Sequence, residues 1–290
     1  MNVARSPGEL ETRSRSVAVG TFDGVHLGHR RVLAAAVDQA PALAPTVVSF
    51  WPHPRIVLGN DVGLLTTLER RLELLADSGI EETLVVEFTR EVAEMPPESF
   101  VDDVLRPIGT ELVVAGTDFR FGRSRAGDLD TLERLGLGVE RVDLVPDVSS
   151  TAIRGLLREG DVTGAARLLG RPAEVEGKVV SGDARGGTLG YPTANLRVEP
   201  DLLVPAHGIY AGWAAGHRAA ASIGTNPHYG GHERRVEAFL LDFEGDLYGE
   251  RLVVELWKRL REEQAFRSEA ELVEQIGRDV EAARAAERPV

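Results

Sequence analysis

Two histidines one helical turn apart are the first residues in this chain whose types and spacing suggest chemistry. His26 and His29 lie in Gly20-Thr21-Phe22-Asp23-Gly24-Val25-His26-Leu27-Gly28-His29. The β-branched run Val17-Ala18-Val19 before this segment reads as a buried strand, and Val32, Leu33 and Ala36 after it mark one side of a helix. A strand, a glycine-bearing loop and a helix together open an α/β nucleotide site, because amides at a helix N-terminus favour phosphate. Gly20, Phe22, Asp23, Gly24 and Gly28 therefore join His26 and His29 as candidate ATP- and phosphate-binding residues. Gly28 leaves room for a base or ribose to approach the backbone. The plainer alternative is a metal-binding or surface pair of histidines, and the strand and loop around them favour phosphate.

Four further stretches carry chemistry. Gly116-Thr117-Asp118-Phe119-Arg120-Phe121-Gly122-Arg123-Ser124-Arg125 is glycine-rich, aromatic and basic at once. Its phenylalanines can wall a planar ring and its arginines can meet phosphate; ordinary packing of an exposed loop is the alternative. In Ser149-Ser150-Thr151-Ala152-Ile153-Arg154 a serine is suited to cap a helix, with Arg154 about one turn later on a face that could reach a pyrophosphate; taken alone, a plain capped helix with a surface arginine is the simpler reading. Thr193 and Asn195, two residues apart, project neutral oxygens the same way from extended chain. Such oxygens, with nucleotide phosphates and water, are how Mg²⁺ is held, although a turn stabilised by Thr and Asn side chains would look alike. Glu237, in Arg234-Arg235-Val236-Glu237-Ala238-Phe239-Leu240, is a carboxylate in an apolar strand, costly to bury unless used or paired. It is placed to take a proton from a hydroxyl, or else simply faces outward.

These residues need elements to position them. The 290 residues, 43% hydrophobic, suffice for two domains. Strands at 17–19, 46–50, 84–86, 112–116 and 139–145 alternate with helices at 67–78, 97–105 and 126–135, after a polar lead-in over 1–15. That alternation predicts a parallel sheet with right-handed crossovers and ligands at the strands' carboxyl ends. A helix over 151–169 closes this half, and Gly170-Arg171-Pro172 is a stop signal. The expected domains are therefore 1–170 and 171–290. In the second, strands at 175–180, 209–215, 219–223, 236–243 and 252–256 precede an amphipathic helix at 268–286. This pattern predicts an antiparallel β-barrel with a terminal helix.

Composition excludes several classes. The absence of cysteine rules out disulfides, thiolate metal sites and a cysteine nucleophile. Lys178 and Lys258 are the only lysines, so no P-loop exists. A net charge of −13 argues against a nucleic-acid partner. No apolar run approaches the roughly 20 residues of a membrane span, and the N-terminus lacks an apolar leader, so a cytoplasmic protein without a membrane partner is expected. Oligomeric state is left open.

The His-x-Gly-His segment after a strand resembles the signature of the nucleotidyltransferase superfamily. Across nearly the whole chain, the order of motifs resembles the prokaryotic bifunctional riboflavin kinase / FAD synthetase family. The matching segments are Gly20 to His29, Pro52-His53-Pro54, Gly116 to Gly122, Ser149 to Arg154, Gly190-Tyr191-Pro192-Thr193-Ala194-Asn195, Ile223-Gly224-Thr225, Glu233 to Glu237, Leu241-Asp242-Phe243 and Asp246-Leu247-Tyr248-Gly249. The resemblance implies a Rossmann-like nucleotidyltransferase domain moving AMP from ATP onto FMN, and a riboflavin kinase barrel making FMN. Riboflavin, FMN, FAD and ATP would be substrates and products, with Mg²⁺ arriving with ATP. His26, His29 and Arg154 would handle ATP phosphates, helped by Ser150 and Thr151. His53, Pro54, Asp118, Phe119, Arg120 and Phe121 would line the flavin and nucleotide side of that site. In the barrel, Gly182, Gly187, Thr193 and Asn195 would bind MgATP, and Glu237 would be the base for the ribityl 5′-hydroxyl. Trp51, where the family usually has an acidic residue, and Asn226 and His228 depart from the pattern. Alternatives are a single-activity adenylyltransferase with a flavin-binding barrel, a non-catalytic flavin-binding regulator, or a tRNA-linked synthetase fragment. Intact Thr193, Asn195 and Glu237 oppose the first, intact His26 and His29 the second, and the acidic charge the third.

Overall fold

A computed structural model describes residues 1–181, 191–225 and 234–290. The chain forms two compact units, Met1–Ser149 and Ser150–Val290.

The first unit is built on a parallel sheet of β1 (Asn2–Ala4), β2 (Arg15–Val19), β3 (Ala44–Trp51), β4 (Glu82–Glu87), β5 (Thr110–Gly116) and β6 (Gly138–Val142), in the order β1-β4-β3-β2-β5-β6. Both faces are buried, which is why its central strands read as unbroken apolar runs. Val17, Val19 and Val113 face a cluster with Phe100, Val101 and Leu105, on α5 (Pro97–Phe100) and the π turn Val101–Leu105. Ala18, Val47 and Val114 face Leu33 and Ala36 of α1 (Leu27–Val37) and Leu74 and Leu75 of α3 (Leu68–Asp77). Two one-turn helices, α2 (Pro54–Val57) and α4 (Arg90–Ala93), follow β3 and β4.

Some elements differ from the sequence reading. The polar lead-in contains β1, where only Ala4 is buried, so little apolar signal marks it. The helix expected at 126–135 is α6 (Leu129–Arg134), because Ser124 and Arg125 have φ of 53° and 59° and the Asp128 side chain caps the helix by accepting from the Thr131 amide. The strand expected to reach 145 ends at Val142.

Beneath the sheet's amino ends, fully buried Arg15 donates to Glu82 at 2.8 Å and to the carbonyl of Glu11 at 2.7 Å. Burial pushes the Glu82 carboxyl up, but hydrogen bonds and charge from Arg15 and then Arg13 outweigh this and hold it below its ordinary 4.5. A carboxyl held low in the folded chain contributes stability that is present above its unfolded pKa and lost as pH falls through the folded value. Urea midpoints should therefore drop on acidification below about pH 4, and Glu82→Gln should flatten that part of the profile. At pH 7 the variant leaves Arg15 buried without its counter-charge, a loss of about 3–5 kcal/mol. An unchanged acid slope in Glu82→Gln would contradict this assignment.

The second unit opens with α7 (Ser150–Glu159) and α8 (Val162–Leu169), two helices where one was expected. Gly160 has φ +82°, and Asp161 caps α8 by accepting from the Gly164 amide at 2.7 Å. Gly170 ends α8 in the left-handed conformation, as its stop signal implied. β7 (Ala173–Val180), β8 (Ala194–Arg197), β9 (Gly208–Ala214), β10 (His217–Thr225), β11 (Arg234–Leu240) and β12 (Arg251–Arg261) form a closed antiparallel barrel in the order β10-β11-β8-β7-β12-β9. β11 stops short of the expected 243 because Asp242 takes φ +57°. α9 (Glu269–Ala285) packs Ala283 against Ala211 and Trp257, and Asp279 takes a bidentate contact from Arg261. Helix α8 packs on β7 and β12, with Thr163 bonded to the Trp257 carbonyl, so by compactness it belongs with the barrel.

Candidate active sites

In the first unit, β2 leads to β3 on one side and β5 leads to β6 on the other, so the switch point lies between the carboxyl ends of β2 and β5. Ligands of open α/β sheets bind at that point. The Gly20–His26 loop and the Gly116–Asp118 turn emerge there.

His26 caps α1. Its Nδ1 accepts from the His29 amide at 3.3 Å, which makes Nε2–H the donor of the neutral ring. The His26 and His29 rings stack with centroids 3.6 Å apart at 14°, and Phe22 meets His29 edge-on at 5.2 Å. A Cβ on Gly28 would sit 3.2 Å from His26 Cε1, so the glycine between the histidines lets the ring lie flat against the helix start. Gly24, at φ +84°, could carry no side chain without meeting Leu65 at 2.7 Å. Val25 and Phe22 hold φ of 38° and 50°, a strained arrangement for a β-branched and an aromatic residue.

Asp23 braces this loop. Its buried carboxylate accepts from the amides of Leu65 at 3.0 Å and Thr66 at 3.2 Å, and from Arg71 Nη2 at 3.2 Å. Thr66 Oγ1 in turn accepts from the Gly24 amide, and the Trp51 ring lies 5.4 Å from the Arg71 guanidinium carbon. The departure at Trp51 thus contributes a cation–π contact to the brace. Asp23 thus acts on the loop through the backbone and side chains it holds.

His53 caps α2, its Nδ1 accepting from the Arg55 amide at 3.2 Å, with Pro54 as the first helical residue. Phe121 is buried in the core beside Phe100, while half-buried Phe119 stacks on it at 5.6 Å. Of the two, Phe119 is the ring presented at the surface. Asp118 and Arg120 are exposed, and Arg120 donates to the Phe119 carbonyl. Ser150, Thr151 and buried Arg154 lie on α7, in the second unit.

On the barrel, alternation along β11 turns Val236, Ala238 and Leu240 inward and Arg235, Glu237 and Phe239 outward. Glu237 pairs directly with Asn195 on β8. Its Oε2 accepts from Thr193 Oγ1 at 3.3 Å, and Asn195 Nδ2 donates to the Thr193 carbonyl at 3.4 Å. The three residues singled out in the sequence are thus contiguous. The sequence reading gave no role to Arg235, which ion-pairs with Glu237 and bonds Asn195. Its position two residues before Glu237 in a strand was the available signal. Tyr191 meets Phe239 edge-on at 5.4 Å on the same face. Gly182, Gly187, Asn226 and His228 lie outside the described residues. Among the described residues no group of three His, Cys, Asp or Glu is placed to hold a metal, and no helix is long and apolar enough to cross a membrane.

A Rossmann-like sheet with paired histidines at its switch point is the arrangement of a nucleotide-binding class of protein, and the barrel carries a polar cluster of its own. The FAD synthetase family model matches residues 9–154 and the riboflavin kinase model matches 169–287. Relatives named bifunctional riboflavin kinase/FMN adenylyltransferase are 36% identical in Listeria monocytogenes (94% of this chain, 92% of the relative) and 35% identical in Bacillus subtilis (93% and 92%). The Escherichia coli K12 relative of the same name is 35% identical over 91% of this chain and 90% of its own. A crystal structure described as a macrolide-efflux protein from Streptococcus pneumoniae is 32% identical, covers 98% of this chain and 99% of its own, and has a TM-score of 0.88. The chain belongs to the bifunctional riboflavin kinase/FMN adenylyltransferase family. It is a transferase that phosphorylates riboflavin to FMN with ATP and adenylylates FMN to FAD.

Proposed function

We propose that the two reactions run at the two sites described above, adenylyl transfer on the sheet and phosphorylation on the barrel. In the first, an FMN phosphate oxygen attacks the α-phosphorus of ATP and pyrophosphate leaves. His26 and His29 donate to the charge that develops there, and the α1 amides cradle the departing phosphates. Gly20, Phe22, Gly24 and Gly28 shape the loop, and Asp23 braces it from behind. His53, Pro54, Asp118, Phe119 and Arg120 receive the flavin nucleotide, with Phe121 supporting Phe119.

On the barrel, Glu237 accepts the proton of the ribityl 5′-hydroxyl as that oxygen attacks the γ-phosphorus, and ADP leaves. Thr193 and Asn195 offer hard neutral oxygens beside a carboxylate, a donor set that suits Mg²⁺ brought in by ATP. Bound there, Mg²⁺ would neutralise phosphate charge, with Gly182 and Gly187 also assigned to the phosphates. The observation that carries this reading is the direct pairing of Glu237 with Asn195 and its hydrogen bond to Thr193. Both reactions should stop in excess chelator and return with Mg²⁺. Flavin turnover that survives chelation, with stoichiometric zinc in the purified protein, would contradict the metal assignment. We place the protein in the cytoplasm, acting on small molecules without nucleic-acid or membrane partners.

The two catalytic halves are expected to separate near residue 170. Because α8 packs on β7 and β12, a fragment of 150–290 should melt higher than one of 171–290. Both should make FMN from riboflavin and neither should make FAD. A folded, flavin-binding fragment without kinase turnover would show that the barrel site is not self-contained.

A further inference from the structure

Arg235 lies at the centre of the barrel site, yet neither reaction as described uses it. Its guanidinium donates from Nε at 3.3 Å and Nη2 at 3.1 Å to Asn195 Oδ1, and Nε also pairs with Glu237 Oε1. Glu237 Oε2 takes the Thr193 hydroxyl, and the Asn195 amide nitrogen is directed to the Thr193 carbonyl. One guanidinium thus fixes both the carboxylate proposed as base and the amide oxygen proposed for Mg²⁺. Its planar fork suits this bridging task better than an ammonium would. The side chains of Arg235 and Glu237 are 31% and 23% exposed, so the contact lies at the surface of the barrel, open to exchange of partners.

The same contact creates a competition. Asn195 Oδ1 cannot easily serve a guanidinium and a divalent cation together, because the two positive charges would lie within a few ångströms of each other. We infer that Arg235 is a positioning residue of the kinase site. It holds Glu237 and Asn195 in working orientation and yields Asn195 Oδ1 when Mg²⁺-nucleotide binds, keeping its hold on Glu237. This rests on the roles given above to Thr193, Asn195 and Glu237. Loss of Arg235 then has two opposite effects: the base is less well oriented, and the competitor for the metal-binding oxygen is gone.

The test uses the full chain with Arg235→Met, which keeps an unbranched stem without donors, and Arg235→Lys, which keeps the charge without the fork. In Arg235→Met, kcat for riboflavin phosphorylation should fall about tenfold with KM for riboflavin within about twofold. Calorimetric titration with MgADP, the product complex of the kinase step, should show binding tightened about threefold or more. Arg235→Lys should give the same split in smaller measure, and it carries the test if the Met variant does not fold. Unchanged kcat, or kcat and MgADP affinity falling together, would overturn the inference. Glu237→Gln measured alongside separates the failures. Its collapse beside a fully active Arg235→Met overturns the inference alone, whereas full activity of Glu237→Gln overturns the base assignment and the inference with it.

Discussion

Glu237→Gln should reduce riboflavin phosphorylation by about 10²–10⁴-fold, the usual worth of a general base. Gln keeps the shape of the side chain and can still accept from Thr193, so the barrel should stay folded. What is lost is the oxygen that takes the 5′-hydroxyl proton. FMN supplied directly should still become FAD near the wild-type rate, since the paired histidines belong to the other unit. The measurement is flavin composition after a timed reaction, with the variant first shown to be folded. Undiminished FMN formation from riboflavin would exclude Glu237 as base.

His29→Ala should do the reverse. The His29 ring is stacked on His26 and held by the edge of Phe22, so it is oriented before any substrate arrives. Removing a preorganised donor aimed at developing phosphate charge costs about 3–4 kcal/mol, or roughly 10²–10³ in rate. The variant should convert riboflavin to FMN and accumulate it. His26 loses its stacking partner, so part of the loss passes through His26 Nε2. His29→Gln retains a donor without the ring and should recover only part of the rate.

What the sequence revealed of this molecule follows its physics. The central strands were legible because a sheet buried on both faces leaves long apolar runs. β1 was not, because Asn2 and Val3 are exposed at an edge and only Ala4 is buried. The break between α7 and α8 was written in Gly160-Asp161, a left-handed glycine followed by a capping residue, but the apolar periodicity on either side concealed it. At the sheet site, the histidine pair was readable from local spacing. The employment of Asp23 was not, since Leu65, Thr66 and Arg71 come from a distant segment. Phe121 looked like a ring wall and is core, because its partner Phe100 arrives from another element. On the barrel, strand alternation alone puts Arg235 on the face of Glu237. Only the pairing of β8 with β11 shows that Asn195 is there to meet it.

The proposed arrangement has a separate site for each reaction, with FMN the product of one and the substrate of the other. It is tested most directly by giving riboflavin and MgATP to wild type, Glu237→Gln and His29→Ala side by side, then separating the flavins and measuring ADP and pyrophosphate. The expected result is FAD with equal ADP and pyrophosphate from wild type, unchanged riboflavin from Glu237→Gln, and FMN with ADP but little pyrophosphate from His29→Ala. Equal loss of both reactions in either folded variant would contradict it, and would require one shared site in place of two.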